Sequence, residues 1–302
     1  MNNSREYVLV TAARNEVDYI EKTLKSVISQ SILPRKWIII SDGSTDGTDL
    51  IVRKYASKFD FIEYLRKDSS ENRNFGSKVR AIHTGYARVN DLKFDFFGNL
   101  DADITFDENY YENILNRFDQ YPILGIAGGN IIDITDEREQ RHNIASPDSV
   151  GCAVQFFRRQ CYEDIGGYLP LQIGGEDAAA EIMARMHHWE VKTFPDIRVL
   201  HHRPMGTGMW NAWGAKFFYG VENYTLGYHP FFFFLKSIKH MKTKPYIIGS
   251  VLMLCGYLFS YFTGEKKVLP NEVLQYFKSE QLNKIKDKFN SIFIKDRSRH
   301  QL

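Results

Sequence analysis

The sequence predicts an α/β fold, with a mostly parallel sheet and helices on both of its faces. Short apolar runs alternate with segments of helical periodicity over about the first 100 residues, which is the pattern of strand–helix–strand units. The runs are continuously apolar, as expected for strands covered on both faces. Polar and acidic clusters follow the runs, and ligands bind at that end of the strands in open α/β sheets.

The predicted elements follow in strand–helix order along the chain. The first strands are predicted at 7–10, 37–40, 61–65 and 94–100, and the helices between them at 20–28, 46–58 and 78–88. The middle of the chain adds a helix at 108–118, strand candidates at 123–131, 150–157 and 191–200, and a helix that begins near Gly174-Gly175-Glu176-Asp177. From about residue 204 the composition changes, so we predict a first domain over 1–203 and a helical C-terminal region over 204–302.

Composition excludes several classes of protein. The 302 residues are 43% hydrophobic and 25% charged, which argues against disordered, collagen-like and disulfide-framework chains. A mean hydropathy of -0.36 argues against several membrane-spanning helices. Three cysteines without a CxxC pair, and no apolar leader at the start, predict a reducing, cytoplasmic location.

The C-terminal region is basic and contains a long uncharged segment. From Lys236 onward there are 13 Lys and Arg against 5 Asp and Glu, whereas residues 1–235 carry a net charge of −6. The 18 residues from Tyr246 to Thr263 carry no charge, and as a helix they would be about 27 Å long, just short of the roughly 30 Å hydrocarbon layer. This length does not decide among four possibilities: a membrane-spanning helix, a re-entrant helix, a helix that lies in the membrane interface, and a core helix of a soluble domain. The basic residues favour an anionic membrane surface as the partner, and nucleic acid is not expected because no nucleic-acid-binding fold accompanies them.

Asp101-Ala102-Asp103 follows the fourth predicted strand. Two carboxylates two residues apart need a countercharge if they are buried, and hard oxygen ligands suit Mg²⁺ or Mn²⁺. The alternative is a solvated turn that leads into the next helix.

The segment Ser41–Thr48 follows the second predicted strand and has the composition of a tight turn that caps a helix. It also leaves Asp42 able to hydrogen-bond a nucleobase or a ribose. Neither GxGxxG after the first strand nor GxxxxGK[ST] anywhere is present, so a dinucleotide-dependent oxidoreductase and a P-loop ATPase lose their main support.

Four motifs in order resemble the family 2 glycosyltransferases, inverting nucleotide-sugar enzymes of the GT-A fold. They are Val10–Glu16, Ser41–Thr48, Leu100–Asp103 as the DxD motif and Gly175–Asp177 as the ED motif. The resemblance covers about residues 6–203, and it implies a nucleotide-sugar-binding half over 1–103 and an acceptor half over 104–203. Two departures are His83, where Asn is common in the family, and the missing QxxRW signature of processive synthases. The second departure favours transfer of one sugar per acceptor.

The resemblance also implies roles for individual residues. Asp42 would contact the base of the donor, usually UDP, and Asp177, with Glu176 beside it, would be the catalytic base. Asp103, with Asp101 nearby, would reach the metal and the diphosphate, and His202, preferred over His201, would complete the metal site. The full set expected around the donor is Thr11, Ala13, Asn15, Glu16, Asp42, Lys78, Asp101, Ala102 and Asp103.

These observations predict a metal-dependent inverting glycosyltransferase, peripheral or singly anchored at the inner face of the cell membrane. The expected partners are a nucleotide-sugar donor and a lipid-linked or glycan acceptor, with Trp210, Trp213 and Phe217–Tyr219 as candidates for an acceptor site or for ordinary core packing. Two alternatives remain open, a membrane-recruited scaffold that binds nucleotide-sugar without turnover and a sugar nucleotidyltransferase. The second alternative normally has a GxGxR-like loop after the first strand, and Thr11–Glu16 lacks it.

Overall fold

The computed structural model describes residues 5–67, 75–135, 139–142, 146–203, 212–241 and 245–299. The chain divides into two compact units, Met1–Met205 and Gly206–Leu302. Trp210, which the sequence analysis named as a candidate for an acceptor site, lies outside the described residues.

The first half of the first unit is a parallel α/β sheet. Its strands are β1 (Tyr7–Ala13), β2 (Lys36–Asp42), β3 (Ile62–Lys67) and β4 (Phe96–Asn99), and its helices are α1 (Ile20–Ile28), α2 (Thr48–Ala56) and α3 (Phe75–Val89). The strands lie in the order β3-β2-β1-β4, and each neighbouring pair is parallel. The α/β class and all four strands predicted in this half are confirmed.

The second half continues the same sheet with mixed strand directions. It contains β5 (Ile104–Phe106), α4 (Tyr110–Gln120), β6 (Leu124–Thr135), β7 (Glu139–His142), β8 (Phe156–Arg158), α5 (Arg159–Asp164), α6 (Glu176–Met186) and β9 (Glu190–His201). Over the described residues the strand order is β3-β2-β1-β4-β8-β6-β9-β5, with β7 paired to β6. β8 is antiparallel to both β4 and β6, while β6 and β9 are parallel. The expectation of a mostly parallel sheet is therefore wrong for this half.

The strand predicted at 150–157 is also corrected. Cys152–Val154 form a 3₁₀ turn and only Phe156–Arg158 form a strand. The apolar side chains of this stretch, among them Val150 and Phe156, are buried in either backbone conformation, so a short apolar run cannot distinguish the two.

Helix α1 fixes the segment that follows β4. The Thr23 hydroxyl donates to the carbonyl of Ala102 at 2.8 Å, and the Ser26 hydroxyl donates to the carbonyl of Phe106 at 2.9 Å. Both hydroxyls are buried, and a buried polar group without a partner would be unfavourable. These two hydrogen bonds therefore hold the backbone on either side of Asp103.

The second unit is helical. It contains α7 (Ala212–Thr225), α8 (Pro230–His240), α9 (Tyr246–Phe262) and α10 (Asn271–Arg299). Pro230 is the first residue of α8 and Pro245 precedes α9, as expected for proline at helix starts. Among the described helices, none has both the length and the apolar character needed to cross a bilayer.

Glycine allows α7 and α9 to cross closely. A Cβ atom on Gly220 would lie 2.0 Å from the Met253 carbonyl oxygen, and one on Gly256 would lie 2.0 Å from the Phe217 carbonyl oxygen. The face of α9 that is buried consists mainly of small side chains, whereas most of its large apolar side chains are exposed. This distribution is the reverse of that in a helix of a water-soluble domain.

Candidate active site

The predicted functional segments follow the carboxyl ends of three adjacent strands. β1 lies between β2 and β4 and is parallel to both, so Ala13, Asp42 and Asn99 end their strands at one edge of the sheet. Past that edge, the Asn15 amide donates to the Ser44 hydroxyl at 3.2 Å, and the Thr45 amide donates to the Asn15 side-chain oxygen at 2.9 Å. These bonds join the loops that follow β1 and β2.

Asp42 is buried, and one of its two carboxylate oxygens lacks a partner. Its Oδ2 lies 3.8 Å from a guanidinium nitrogen of Arg14. Its Oδ1 makes no hydrogen bond in the described structure, although the residue is only 5% exposed. A buried acceptor without a donor is unfavourable, so this oxygen is suited to receive an N–H or O–H group from a ligand.

Lys78, on α3, connects the segment after β4 to the start of α6. Its Nζ donates to Asp101 Oδ1 at 2.6 Å and to Cys152 Sγ at 3.5 Å. The Cys152 thiol in turn donates to Glu176 Oε1 at 3.5 Å. Burial alone lowers the pKa of Lys78, but Asp101, Cys152 and Glu176 outweigh it and raise this pKa well above its usual value. Lys78 is therefore a stable cation among these acidic groups.

Asp103 lies among cationic groups. Its Oδ1 is 3.4 Å from His201 Nε2 and its Oδ2 is 3.7 Å from Arg203 Nε, while Arg203 also pairs with Glu16. The pKa of Asp103 is lowered, because the hydrogen bond and charge of His201 and the charges of Arg203 and Lys78 outweigh burial, which acts in the opposite direction. Asp103 is therefore ionised at neutral pH.

His201, not His202, is the histidine whose ring faces Asp103. His201 Nδ1 also lies 2.9 Å from Asp133 Oδ1. Burial lowers the pKa of His201, but its bonds to Asp103 and Asp133 outweigh this effect and raise it to about 9. The Nε2 of His202 lies 2.8 Å from the Thr105 hydroxyl and its ring stacks on Tyr19, and its expected role at a metal stays a prediction. The alternation of side chains along the end of β9 separates the two rings.

Glu176 and Asp177 begin α6 after a glycine turn. Gly174 and Gly175 have φ angles of 112° and 86°, which favour glycine. Asp177 Oδ1 accepts a hydrogen bond from the Ala178 amide at 2.8 Å. Burial, and after it the charge of Asp177, raises the pKa of Glu176 to about 7. Burial also raises the pKa of Asp177, although the Ala178 amide and Lys78 reduce the rise. A carboxylate with a raised pKa is a stronger base.

Three residues expected around the donor have side chains that contact other parts of the protein interior. Thr11 Oγ1 accepts a hydrogen bond from Trp37 Nε1 at 3.0 Å. The methyl groups of Ala13 and Ala102 belong to the hydrophobic core. All three residues are buried, and their place at the donor stays a prediction. The other expected donor-site residues lie within the contacts described above, namely Asn15, Glu16, Asp42, Lys78, Asp101 and Asp103.

Sequence reasoning missed Arg14, Cys152 and Arg203 as members of this cluster. Arg14 lies inside a quoted motif, and Arg203 directly follows β9, so the rule that chemistry follows strand ends could have found both. Cys152 had no such signal, because a strand was predicted through its position.

Carboxylate oxygens at this edge have the chemistry that Mg²⁺ and Mn²⁺ prefer. Within the described parts of the chain, no three His, Cys, Asp or Glu side chains converge as a complete metal site. The nearest cationic partners of the Asp103 carboxylate are 3.4 and 3.7 Å away, so its oxygens are not held by tight bonds. Mg²⁺ and Mn²⁺ commonly use one or two carboxylates and complete their shell with water and substrate phosphate.

A sheet of this kind, with carboxylates at the ends of its strands and a further pair at a helix start, is the arrangement that the resemblance to the glycosyltransferases leads us to expect. The family model for glycosyl transferase family 2 matches residues 8–192, and the chain belongs to that family.

Known proteins of similar sequence and fold agree with this membership. Poly-beta-1,6-N-acetyl-D-glucosamine synthase of Staphylococcus aureus (strain MSSA476) is 34% identical over 119 residues, which are 39% of this chain and only 27% of that relative. Mannosyltransferase PcManGT from Pyrobaculum calidifontis, solved with GDP-Man and Mn²⁺, has a TM-score of 0.57 at 16% identity, over 93% of this chain and 85% of that one. TarS 1–349 of S. aureus with UDP-GlcNAc has a TM-score of 0.54 at 14% identity, over 90% and 78%. The two structures establish similarity of fold.

Proposed function

We propose that this chain transfers a sugar, with inversion, from a UDP-sugar to a polysaccharide or lipid-linked acceptor. The observation that carries this proposal is the chain of contacts from Asp101 through Lys78 and Cys152 to Glu176. It joins the carboxylates suited to a metal–diphosphate group with the carboxylates suited to a base. A metal-dependent transferase uses both groups at one centre.

Asp42 is proposed to bind the base of the donor. Its unpartnered Oδ1 can accept a hydrogen bond from the N–H group of a uracil ring. Lys78 and Arg203 supply positive charge beside Asp101 and Asp103, as His201 does beside Asp103, and this charge offsets the repulsion between a diphosphate and the carboxylates.

Asp101 and Asp103 are proposed to hold Mg²⁺ or Mn²⁺, while His201 orients Asp103 from the other side. When bound, such a cation would stabilise the negative charge of the departing diphosphate. The solved complex of PcManGT contains Mn²⁺, which supports the same choice here.

Asp177 is proposed to take the proton of the acceptor hydroxyl, with Glu176 beside it. As the acceptor oxygen bonds to the anomeric carbon, the bond from that carbon to the diphosphate oxygen breaks and the electron pair leaves with the nucleotide. A single displacement of this kind inverts the configuration and needs no nucleophile from the enzyme.

GlcNAc is the first donor sugar to test, because two similar proteins carry it in their descriptions. Purified chain would be incubated with Mn²⁺ and UDP-GlcNAc, UDP-glucose, UDP-galactose or GDP-mannose, with and without glycan acceptors. Acceptor-dependent release of UDP supports the proposal. Binding without release would instead support a non-catalytic scaffold. Formation of UTP and a sugar 1-phosphate from the UDP-sugar when pyrophosphate is added would support a sugar nucleotidyltransferase.

The second unit is proposed to associate with the inner face of the cell membrane. Apolar side chains at helical spacing are exposed on α8 (Phe231, Phe234, Leu235 and Ile238) and on α9 (Ile247, Ile248, Val251, Leu258, Phe259 and Phe262). Lys239 on α8 and Lys266 after α9 are exposed as well. An exposed apolar stripe with basic flanks is typical of a helix that lies in the interface of an anionic bilayer.

Sedimentation with vesicles tests this association. The full chain should bind vesicles of phosphatidylglycerol and phosphatidylcholine more strongly than vesicles of phosphatidylcholine alone. Ile248→Glu with Phe259→Glu should weaken binding by about tenfold or more, since each apolar side chain contributes 1.5–3 kcal/mol when buried. Leu50→Glu, at an exposed position on α2, is the matched control. Equal binding by both variants would contradict the proposed surface.

A further inference from the structure

Glu181 is a buried carboxyl group that the proposed chemistry does not use. It lies one turn after Asp177 on α6 and is 5% exposed. Its Oε1 accepts hydrogen bonds from the Val150 amide at 2.6 Å, the Ser149 hydroxyl at 3.2 Å and Gln155 Nε2 at 3.3 Å. Glu181 therefore ties α6 to the segment that precedes β8.

Gln155 extends this network on the other side of the segment. It is fully buried, and its Nε2 also donates to the Val150 carbonyl at 3.1 Å and to the Asp177 carbonyl at 3.5 Å. Its Oε1 accepts a hydrogen bond from the Tyr168 hydroxyl at 2.6 Å. The orientation of the Gln155 amide is thus set at both of its ends.

The same segment is bonded to the residues around the DxD motif. The Asp101 amide donates to the Ala153 carbonyl and the Asn99 amide to the Gln155 carbonyl, both at 2.9 Å. Asn99 Nδ2 also donates to the Cys152 carbonyl at 2.6 Å. One short piece of chain is therefore hydrogen-bonded to Asp101 on one side and to α6 on the other.

We infer that Glu181 and Gln155 are positioning residues that fix the distance between the Asp177 carboxylate and the Asp101–Asp103 pair. The inference rests on the proposed role of Asp177 as the base. Burial raises the pKa of Glu181 to about 8, so the group is mostly neutral at pH 7 and adds little negative charge beside Glu176 and Asp177. Its contribution at that pH is then one of geometry, as a hydrogen-bond acceptor.

Two substitutions at Glu181 separate geometry from charge. Glu181→Gln keeps an oxygen acceptor of the same reach, so kcat should remain within about threefold of the wild-type value. Glu181→Leu removes the acceptor, and kcat should fall about tenfold or more, because small misplacements of a catalytic group reduce rates strongly. Binding of UDP, measured by calorimetry, should change less than about twofold in both, since neither substitution touches Asp42.

Gln30→Leu is the matched control for a general loss of stability. Gln30 is a buried amide with bonds to the Ser26 and Asp107 carbonyls and the Tyr111 amide, and it makes none to α6. This variant should melt at a lower temperature but keep its kcat. If Glu181→Leu melts lower and also keeps its kcat, Glu181 is merely structural and the inference is overturned.

Tyr168→Phe is the second test, for use if Glu181→Leu does not fold. It removes one hydrogen bond to Gln155 and should lower kcat with UDP binding unchanged, so an unchanged kcat would overturn the inference. Asp177→Asn is the reference for the proposed function. Full turnover by Asp177→Asn would end the assignment of the base, whereas its inactivity together with full turnover by Glu181→Leu would end only the positioning role.

Discussion

Lys78 Nζ lies 2.6 Å from Asp101 Oδ1, so a cation on α3 neutralises the first carboxylate of the segment Asp101-Ala102-Asp103. The same nitrogen lies 3.5 Å from Cys152, whose thiol donates to Glu176. One side chain thus connects the two acidic parts of the candidate site, and its loss should affect both.

Replacing Lys78 tests this connection. Lys78→Met leaves Asp101 and Glu176 without their cation, and the free energy of unfolding should fall by roughly 1.5–3 kcal/mol. Lys78→Met with Asp101→Asn removes the uncompensated charge and should recover part of the loss. Urea unfolding of both variants measures the difference, with Lys25→Met, at an exposed pair with Glu21, expected to change stability by less than about 0.5 kcal/mol. A double variant less stable than Lys78→Met would contradict this coupling.

Asp42→Asn should weaken UDP binding without destabilising the free protein. The substitution removes a buried negative charge that has an unpartnered oxygen, so the melting temperature without ligand should stay the same or rise. Loss of a charge-assisted hydrogen bond to the base should weaken UDP binding about 10- to 100-fold. Calorimetry and thermal melting measure the two effects. Unchanged UDP affinity would remove Asp42 from the nucleotide site.

Asp177→Asn should lower kcat by a factor of about 10² to 10⁴, the usual contribution of a general base. The affinity for UDP should be retained, because the base acts on the acceptor. Rates of UDP release in the presence of the acceptor give the comparison, and Asp60→Asn, at an exposed position, is the control. Equal losses in both variants would point to a cause other than the base.

Glu181 predicts a pH dependence of stability. Burial raises its pKa from 4.5 in the unfolded chain to about 8 in the folded protein, so the folded state keeps a proton that the unfolded state has released. Its contribution to stability is therefore full below about pH 4.5 and declines as the pH rises through about 8. Glu181→Gln should flatten the fall in melting temperature between pH 5 and about 8.5 relative to the wild type. Parallel curves for the two proteins would show that Glu181 is not the group responsible.

The sequence was sufficient to predict the first half of the sheet. Runs such as Trp37–Ile40 are long enough and apolar enough to specify buried strands, and strand ends specify where polar ligand groups lie. The directions of β8 and β6 had no comparable signal, because antiparallel and parallel buried strands share one apolar pattern.

Contacts between distant residues were also invisible in the sequence. Arg203 and Glu16 form an ion pair although they are 187 positions apart in the sequence, and no short sequence pattern predicts such a pair. The contacts of His201 and His202 depend on the side of the sheet to which each ring points. That direction follows from where β9 ends and from its register with β5, neither of which the sequence alone specifies.

The antiparallel β8 strand has a consequence for dissecting the chain. β8 pairs with β4. In the segment before β8, the Ala153 carbonyl accepts a hydrogen bond from the Asp101 amide. A fragment that stopped after α4 would leave β4 as a bare apolar edge and Asp101 with an unsatisfied backbone donor. We expect this fragment to aggregate through its exposed β4 edge. Tests of nucleotide binding therefore need a chain that includes β8.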